Sequence, residues 1–171
     1  VGLVGLHTSI ELNAASAVYR ANAANIDTVV YSKAPYYTAV SLARDSGIIK
    51  GESEAMTMDS IYETEHGVYV ADNMNYHLFI GITDEQWSEV LEIRKQNGKN
   101  VAYCARGIND LENMSKARLS LVSADTADET LLQCADIIKE KSGFSVLTNM
   151  IEKAKMIYKR IFAVMKYSVV P

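Results

Sequence analysis

The chain has 171 residues, of which 49% are hydrophobic and 22% are charged, and its formal net charge is −4. This composition suits one domain with an ordinary core and excludes a disordered chain. Basic residues do not cluster with aromatic ones, so nucleic acid is not an expected partner. No run of about 18 apolar residues is present, so we expect no membrane span or export signal within the sequence.

Strand and helix signals alternate along the first part of the chain. Apolar runs predict strands at 1–6 and 26–31, and helices are predicted at 8–24 and 36–46. Pro35 precedes the second helix, where its fixed φ angle suits a first turn. This strand-helix-strand-helix order predicts a parallel sheet with a right-handed crossover.

The segment 50–75 is the least regular, and we interpret it as an insertion packed on the domain, with a short edge strand at 68–70. Regular signals return with a strand predicted at 77–82. Thr83 can then cap a helix that runs to Gln96.

The second half continues the alternation. Strands are predicted at 101–103, 119–122 and 137–138, with short helices at 111–116 and 128–134. Such alternation is typical of an α/β domain with a mostly parallel sheet and helices on both faces.

The last predicted helix, 144–168, carries apolar residues at helical spacing and basic residues on the other side. It is long for a compact domain, so its end is expected to project. An ordinary amphipathic helix with a solvated basic face is the alternative interpretation.

Cysteine and histidine usage gives no sign of a metal site. Cys104 and Cys134 lack metal-ligand spacing, and we expect buried, free thiols in a reducing compartment such as the cytosol. The histidines at positions 7, 66 and 77 are far apart in sequence. No glycine-rich phosphate-binding fingerprint occurs.

The stretch 100–110 has the strongest chemical signal. Its apolar start predicts a strand, a glycine at 107 turns the chain, and Asn109 and Asp110 then stand at a helix start. Open α/β folds bind ligands at this carboxyl edge of their strands. Asp110 is therefore a candidate metal ligand. Alternatively it caps the helix, or it pairs with Arg106 or Lys33.

The run from Gly107 to Asp110, Gly-Ile-Asn-Asp, resembles the second half of the Thr-Gly-Asp-Gly-x-Asn-Asp motif of P-type cation-transporting ATPases. The first half of that motif reads Cys-Ala-Arg at 104–106. Other landmarks of the family's phosphorylation domain follow in the same order from Val1 to about Tyr167. The resemblance implies a haloacid-dehalogenase-like, Rossmann-like fold, with 1–171 as the C-terminal part of that domain and 144–168 as a stalk.

The resemblance also assigns roles to individual positions. Ser32 stands where the family holds a phosphoryl oxygen, and Asn109 and Asp110 are retained motif positions. By the same resemblance, four positions carry other residues than the family's site. Lys33 and Ala34 replace a glycine and an aspartate, Trp87 replaces a lysine that offsets phosphoryl charge, and Arg106 replaces the aspartate that binds Mg²⁺. The phosphate-accepting aspartate of Asp-Lys-Thr-Gly-Thr is absent from the sequence. We therefore expect no phosphoryl transfer by this chain.

Family membership would imply Mg²⁺ and ATP as cofactors. The expected partners are the transmembrane, actuator and nucleotide-binding domains of a parent protein, at the cytoplasmic face of a membrane. Two alternatives remain open. One is an active ATPase in which Arg106 and Lys33 replace Mg²⁺ as sources of positive charge, and the other is a freestanding interaction domain with the same fold.

A strand that is central in the family's sheet is missing between the strands ending at Tyr31 and Tyr103. We predict that these strands pair directly or that another segment fills the gap. A neighbouring copy in a homodimer is one candidate for that segment.

Overall fold

The computed structural model describes residues 10–57, 61–64, 67–70, 75–141 and 143–169. The strand predicted at the N-terminus and the start of the first predicted helix lie outside these residues. The described elements, in chain order, are α1 (Ala14–Ala23), β1 (Val30–Ser32), α2 (Tyr36–Asp45), β2 (Ala55–Thr57), β3 (Ile61–Thr64), β4 (Gly67–Val70), β5 (Leu78–Ile80), α3 (Asp84–Gln96), β6 (Ala102–Cys104), α4 (Leu111–Lys116), β7 (Leu119–Ser123), α5 (Glu129–Cys134), β8 (Ile137–Lys139) and α6 (Phe144–Val169).

Two parallel sheets of three strands each form the frame of the described structure. The first sheet has the order β1-β5-β2 and the second has the order β6-β7-β8. Strands β3 and β4 form a separate antiparallel hairpin. The predicted α/β class with parallel pairing is confirmed.

Strands β1 and β6 are both sheet edges, and they do not pair with each other in the described part of the chain. Direct pairing across the predicted gap is therefore wrong for these residues, and no described segment bonds to both strands. The two sheets nevertheless share one hydrophobic cluster. Helix α3 contributes Trp87 and Leu91 to it, and the sheets contribute residues such as Phe79, Tyr103 and Val122.

Local signals explain where α3 begins and ends. The Thr83 hydroxyl accepts a hydrogen bond from the Gln86 N–H at 3.2 Å, and the Gln86 side chain accepts one from the Thr83 N–H at 2.8 Å. This reciprocal pair satisfies two N–H groups that the helix cannot bond itself. Past the other end, Gly98 adopts a φ of +76°, which favours glycine. The predicted helix is confirmed.

Three features differ from the sequence expectations. The first helix begins at Ala14, after a turn. The segment 50–75 is more regular than expected, since β2 pairs with β5 and Met56 is fully buried. The expectation of buried thiols is wrong, because both Cys104 and Cys134 are exposed, although they are free. Cys104 lies on the exposed face of β6, opposite the buried Tyr103.

Among the described residues, the contacts that anchor helix α6 to the domain lie in its inner part. The Arg20 guanidinium of α1 contacts Glu152 through two atoms, at 2.6 and 2.8 Å, and donates to the Asn149 side chain at 2.7 Å. Every described residue from Glu152 to Ser168 is exposed, so the helix projects as predicted. No helix among the described residues is long and apolar enough to cross a membrane.

Candidate functional site

The loop after β6, residues 105–110, is called the Asp110 loop here. The Ala105 N–H donates to the Leu121 carbonyl at 2.9 Å, which extends the parallel pairing by one bond. After Gly107 the chain forms a single 3₁₀ turn over Ile108–Asp110 and enters α4. The loop thus lies at the carboxyl end of an edge strand, as the sequence predicted.

The Asp110 carboxylate is turned back onto its own loop. One oxygen accepts a hydrogen bond from the Tyr103 hydroxyl at 2.8 Å. The other accepts from the backbone N–H groups of Arg106 at 2.8 Å and Gly107 at 3.3 Å. Asp110 stands at the N-cap position of α4 but makes no side-chain cap hydrogen bond to that helix, so the predicted N-cap is not formed. The carboxylate instead bonds back to N–H groups just before the 3₁₀ turn, as the third residue of a capping box does.

Tyr103, on β6, is the side-chain donor to Asp110. Its side chain is buried, and burial together with the hydrogen bond to Asp110 raises the pKa of its phenol far above the ordinary value. The phenol is therefore a neutral donor at any physiological pH, and both Asp110 oxygens have protein donors.

The two ion pairs considered for Asp110 are absent from the described structure. Asp110 contacts the backbone of Arg106 and not its guanidinium, which is exposed and has no ion-pair partner among the described residues. Lys33 instead contacts Asp84, with its ammonium nitrogen 3.0 and 3.2 Å from the two carboxylate oxygens. These predictions failed because the nearest competing donors to Asp110 are backbone amides of its own turn.

Asp84 is a site residue that the sequence reasoning missed. It opens α3 beside the end of β1, and it also accepts a hydrogen bond from the Tyr31 hydroxyl at 2.9 Å. Lys33 and then Tyr31 lower the pKa of the Asp84 carboxyl below its ordinary value. An acid in the first helical turn after Thr83 was the available signal, but it is also what a helix start normally carries.

The two other predicted site residues, Ser32 and Asn109, each belong to a local turn. The Ser32 hydroxyl accepts a hydrogen bond from the Ala34 N–H at 3.2 Å, which closes a small turn. Asn109 is exposed on the 3₁₀ turn. The structure places Ser32, Asn109 and Asp110 at the ends of two edge strands without a contact that joins them.

Trp87, on α3, is a buried core residue that packs against β1 and β5. Its ring stacks on Tyr31 with a centroid distance of 5.5 Å, and it packs against Phe79 at the same distance. Among the described residues, its buried indole N–H makes no hydrogen bond, and neither does the buried side-chain oxygen of Asn113. The Trp87 ring therefore belongs to the hydrophobic core beside β1 and β5.

The donor set does not fit a bound Mg²⁺ ion. This ion requires an octahedron of oxygen ligands, of which one or two are carboxylates. The described residues contain no group of three or more acidic, histidine or cysteine side chains that could hold a metal. Asp110 and Asp84 are both engaged by protein donors, and the exposed guanidinium of Arg106 adds positive charge to the loop.

Sequence comparison gives relatives for nearly the full length of the chain, although no family model matches it. A probable cation-transporting P-type ATPase of Mycoplasma pneumoniae is 25% identical over 157 residues, or 91% of this chain. Human calcium-transporting ATPase type 2C member 2 is 20% identical over 161 residues, or 94% of this chain. The homologues of this chain are P-type cation-transporting ATPases. The chain spans 17% of the length of each of these two relatives.

Solved structures agree with this P-type ATPase relationship at the level of the fold. A zinc-transporting P-type ATPase in its E2.Pi state matches 91% of this chain and 21% of its own, with a TM-score of 0.65 and 17% identity. A hydrolase of the HAD superfamily from Legionella pneumophila matches 93% of this chain and 74% of its own, with a TM-score of 0.61 and 19% identity. The predicted haloacid-dehalogenase-like fold is confirmed.

Proposed function

We propose that this chain forms the cytoplasmic phosphorylation-domain part of a larger relative of the P-type ATPases, and that it transmits movement without transferring phosphate. Its match to 17% of the length of its relatives supports a place within a longer polypeptide. The partners would be the transmembrane, actuator and nucleotide-binding parts of that protein.

The contacts of Asp110 carry this proposal. A cation at this carboxylate would have to displace the Tyr103 hydroxyl or the N–H groups of Arg106 and Gly107. An unsatisfied buried donor costs about 1–3 kcal/mol, so displacing the hydroxyl of the buried Tyr103 opposes binding. Water can replace the carboxylate at the exposed N–H of Arg106, so that displacement costs less. The retained aspartate therefore serves the loop rather than a metal.

Arg106 adds an electrostatic obstacle at the position of the family's metal-binding carboxylate. A unit positive charge about 4 Å from a divalent ion is repelled by on the order of 8 kcal/mol at an effective dielectric constant of about 20. Solvent around this exposed side chain reduces the repulsion. The substitution still removes an attraction where phosphoryl transfer needs a bound cation.

Lys33 and Trp87 disfavour the alternative of an active site with rearranged positive charge. Lys33 is already paired with Asp84, so its charge is offset within the chain. Trp87 replaces the family's lysine with a buried ring that stacks on Tyr31. Neither residue presents a free cation to a phosphoryl group.

A mechanical role is supported by the link between the domain and α6. The contacts of Arg20 with Asn149 and Glu152 tie the inner end of α6 to α1, which has a buried face that includes Ala17 and Val18. A tilt of the domain would therefore be passed to the projecting end of the helix.

Phosphoenzyme formation in the full-length protein tests this function. Incubation with radiolabelled ATP and Mg²⁺, followed by acid quenching, should leave no aspartyl phosphate, while a calcium-transporting relative assayed in parallel should be labelled. Acid-stable label that exchanges with unlabelled ATP and is released by hydroxylamine would overturn the proposal.

A further inference from the structure

Helices α1 and α6 pack on each other, and each is the other's main packing partner among the described elements. Helix α1 buries Ala17, Val18 and Ala21, while α6 buries Thr148 in its inner part. The two helices are far apart in sequence, so the fold and not a local signal brings them together. Their contact joins the helix that projects from the domain to a helix of the domain itself.

Polar contacts show that these two helices run in the same direction. Arg20 and Glu152 are 132 positions apart, and Ala24 and Lys155 are 131 positions apart. In an antiparallel pair, this separation would change by two positions for each residue along the helix. A nearly constant separation therefore requires α1 and α6 to be parallel and in step with each other.

Charged side chains offset the helix dipoles at both ends of this parallel pair. Parallel helices place ends of like partial charge side by side, which is unfavourable. The Glu11 carboxylate lies against Gly143, the residue before α6, since a Cβ added there would stand 2.8 Å from its Oε1 atom. At the other end, the Lys155 ammonium donates to the carbonyl of Ala24, which follows α1. An acid at a helix N-terminus and a base at a helix C-terminus are the favourable arrangement.

Arg20 lies between these two ends and holds α6 at two points. Its guanidinium is 2.6 and 2.8 Å from the two carboxylate oxygens of Glu152, and it donates to the Asn149 side chain at 2.7 Å. Asn149 and Glu152 are about one helical turn apart, so a planar fork that bonds both fixes the direction of α6 as well as its position. This exposed ion pair is expected to contribute little to the free energy of unfolding.

The direction of α6 determines where its projecting end lies. Residues 153–168 span about 24 Å at 1.5 Å per residue, so a change of about 10° in direction displaces the far end by about 4 Å. We propose that Arg20 is the coupling residue of this chain, which makes α1 and the inner part of α6 one rigid body. The use of this coupling in transmitting movement rests on the proposed function.

The distance distribution between two spin labels in the full chain tests the proposal. The parent for this experiment carries Cys104→Ser and Cys134→Ser, which remove both exposed thiols. Labels are attached at Glu89→Cys on α3 and at Lys159→Cys on the outer part of α6, two exposed positions. We expect one narrow distribution for the parent, because the domain and α6 are held in a single orientation.

Variants of Arg20 should widen this distribution. Arg20→Met should add at least about 4 Å to its width, the displacement that about 10° of freedom gives. Its control, Arg44→Met, breaks an exposed ion pair with Glu52 beside α2 and should leave the width unchanged. Arg20→Glu should widen the distribution as well, and adding Glu152→Arg should narrow it again.

Arg20→Lys separates the role of the fork from the role of charge. Lysine keeps the charge but lacks the rigid planar fork, so the width should lie between those of the parent and Arg20→Met. Circular dichroism checks that all variants keep their helices.

Three results would overturn the proposal: a parent distribution as wide as that of Arg20→Met, equal widening by Arg44→Met, or an Arg20→Lys width equal to that of the parent. These widths do not depend on phosphate transfer. An aspartyl phosphate in the full-length protein would overturn the proposed function and leave the result for Arg20 as it is.

Discussion

The Asp110 loop and the outer part of α6, residues 153–168 and called the outer helix here, differ in how much of their bonding capacity the chain itself uses. In the loop, both carboxylate oxygens of Asp110 accept hydrogen bonds from the protein, and the phenol of Tyr103 is buried against it. Along the outer helix, eight large apolar side chains remain exposed. A loop satisfied from within has little to offer a ligand, whereas an uncovered apolar face gains free energy when it is covered.

The largest expected contrast concerns aromatic side chains in the two regions. Trp87→Ala, in the core beneath the strand ends, should lower the free energy of unfolding by about 3–5 kcal/mol. Phe162→Ala, on the outer helix, should change it by no more than about 0.5 kcal/mol, because that side chain is about half exposed and its ring contacts, Tyr158 and Lys166, lie on the same helix. Urea unfolding of both variants measures the difference. Similar losses would mean that the outer helix packs against the domain.

A smaller effect is expected inside the loop. Asp110→Ala should lower the free energy of unfolding by about 1–3 kcal/mol, because the buried Tyr103 hydroxyl loses its acceptor. Asn109→Ala, next to it but exposed, should stay within about 0.5 kcal/mol. A double-mutant cycle with Tyr103→Phe should show coupling between Tyr103 and Asp110. Additive losses would show that their hydrogen bond contributes nothing in solution.

The smallest expected effect is a change in how the free energy of unfolding depends on pH, and it is caused by Asp136 in the second sheet region. Hydrogen bonds from the Ser120 hydroxyl and N–H lower the pKa of Asp136 in the folded chain. The stability gained from this carboxylate is therefore present above its unfolded pKa of about 3.9 and is lost as pH falls through the lower folded value. Asp136→Asn should be less stable than the wild type at neutral pH and approach it below about pH 4.

The matched variant Ser120→Ala removes one donor to Asp136 and should reduce the same acid-limb slope. Urea midpoints measured across the acid range test both variants. A stability difference between Asp136→Asn and the wild type that stays constant with pH would contradict the assigned cause.

Local interactions were the part of the structure that the sequence could predict. The α3 cap depends on Thr83 and Gln86, three residues apart, and the C-terminal end depends on a single glycine at 98. The hydrogen bonds of Asp110 are local as well, because its donors at 106 and 107 are near in sequence, but its side chain does not form the predicted N-cap of α4.

The interactions that sequence reasoning missed join residues far apart in the chain. Lys33 meets Asp84 across 51 positions, so their pairing depends on how β1 and α3 pack. The parallel pairing of β2 with β5 was missed because it joins distant residues in a segment whose sequence looks irregular. Cys104 is exposed because it lies on the face of β6 opposite the buried Tyr103. Family resemblance identified the site positions, but only the fold shows what each side chain contacts.

Titration with Mg²⁺, followed by the backbone N–H resonances of Arg106 and Gly107, tests most directly whether the Asp110 loop is closed to a cation. Both N–H groups donate to Asp110, so a metal bound to that carboxylate must perturb them. We expect no saturable shift at either resonance. Saturable shifts at both, which Asp110→Asn abolishes while the chain stays folded, would contradict the account and place a metal site in the loop.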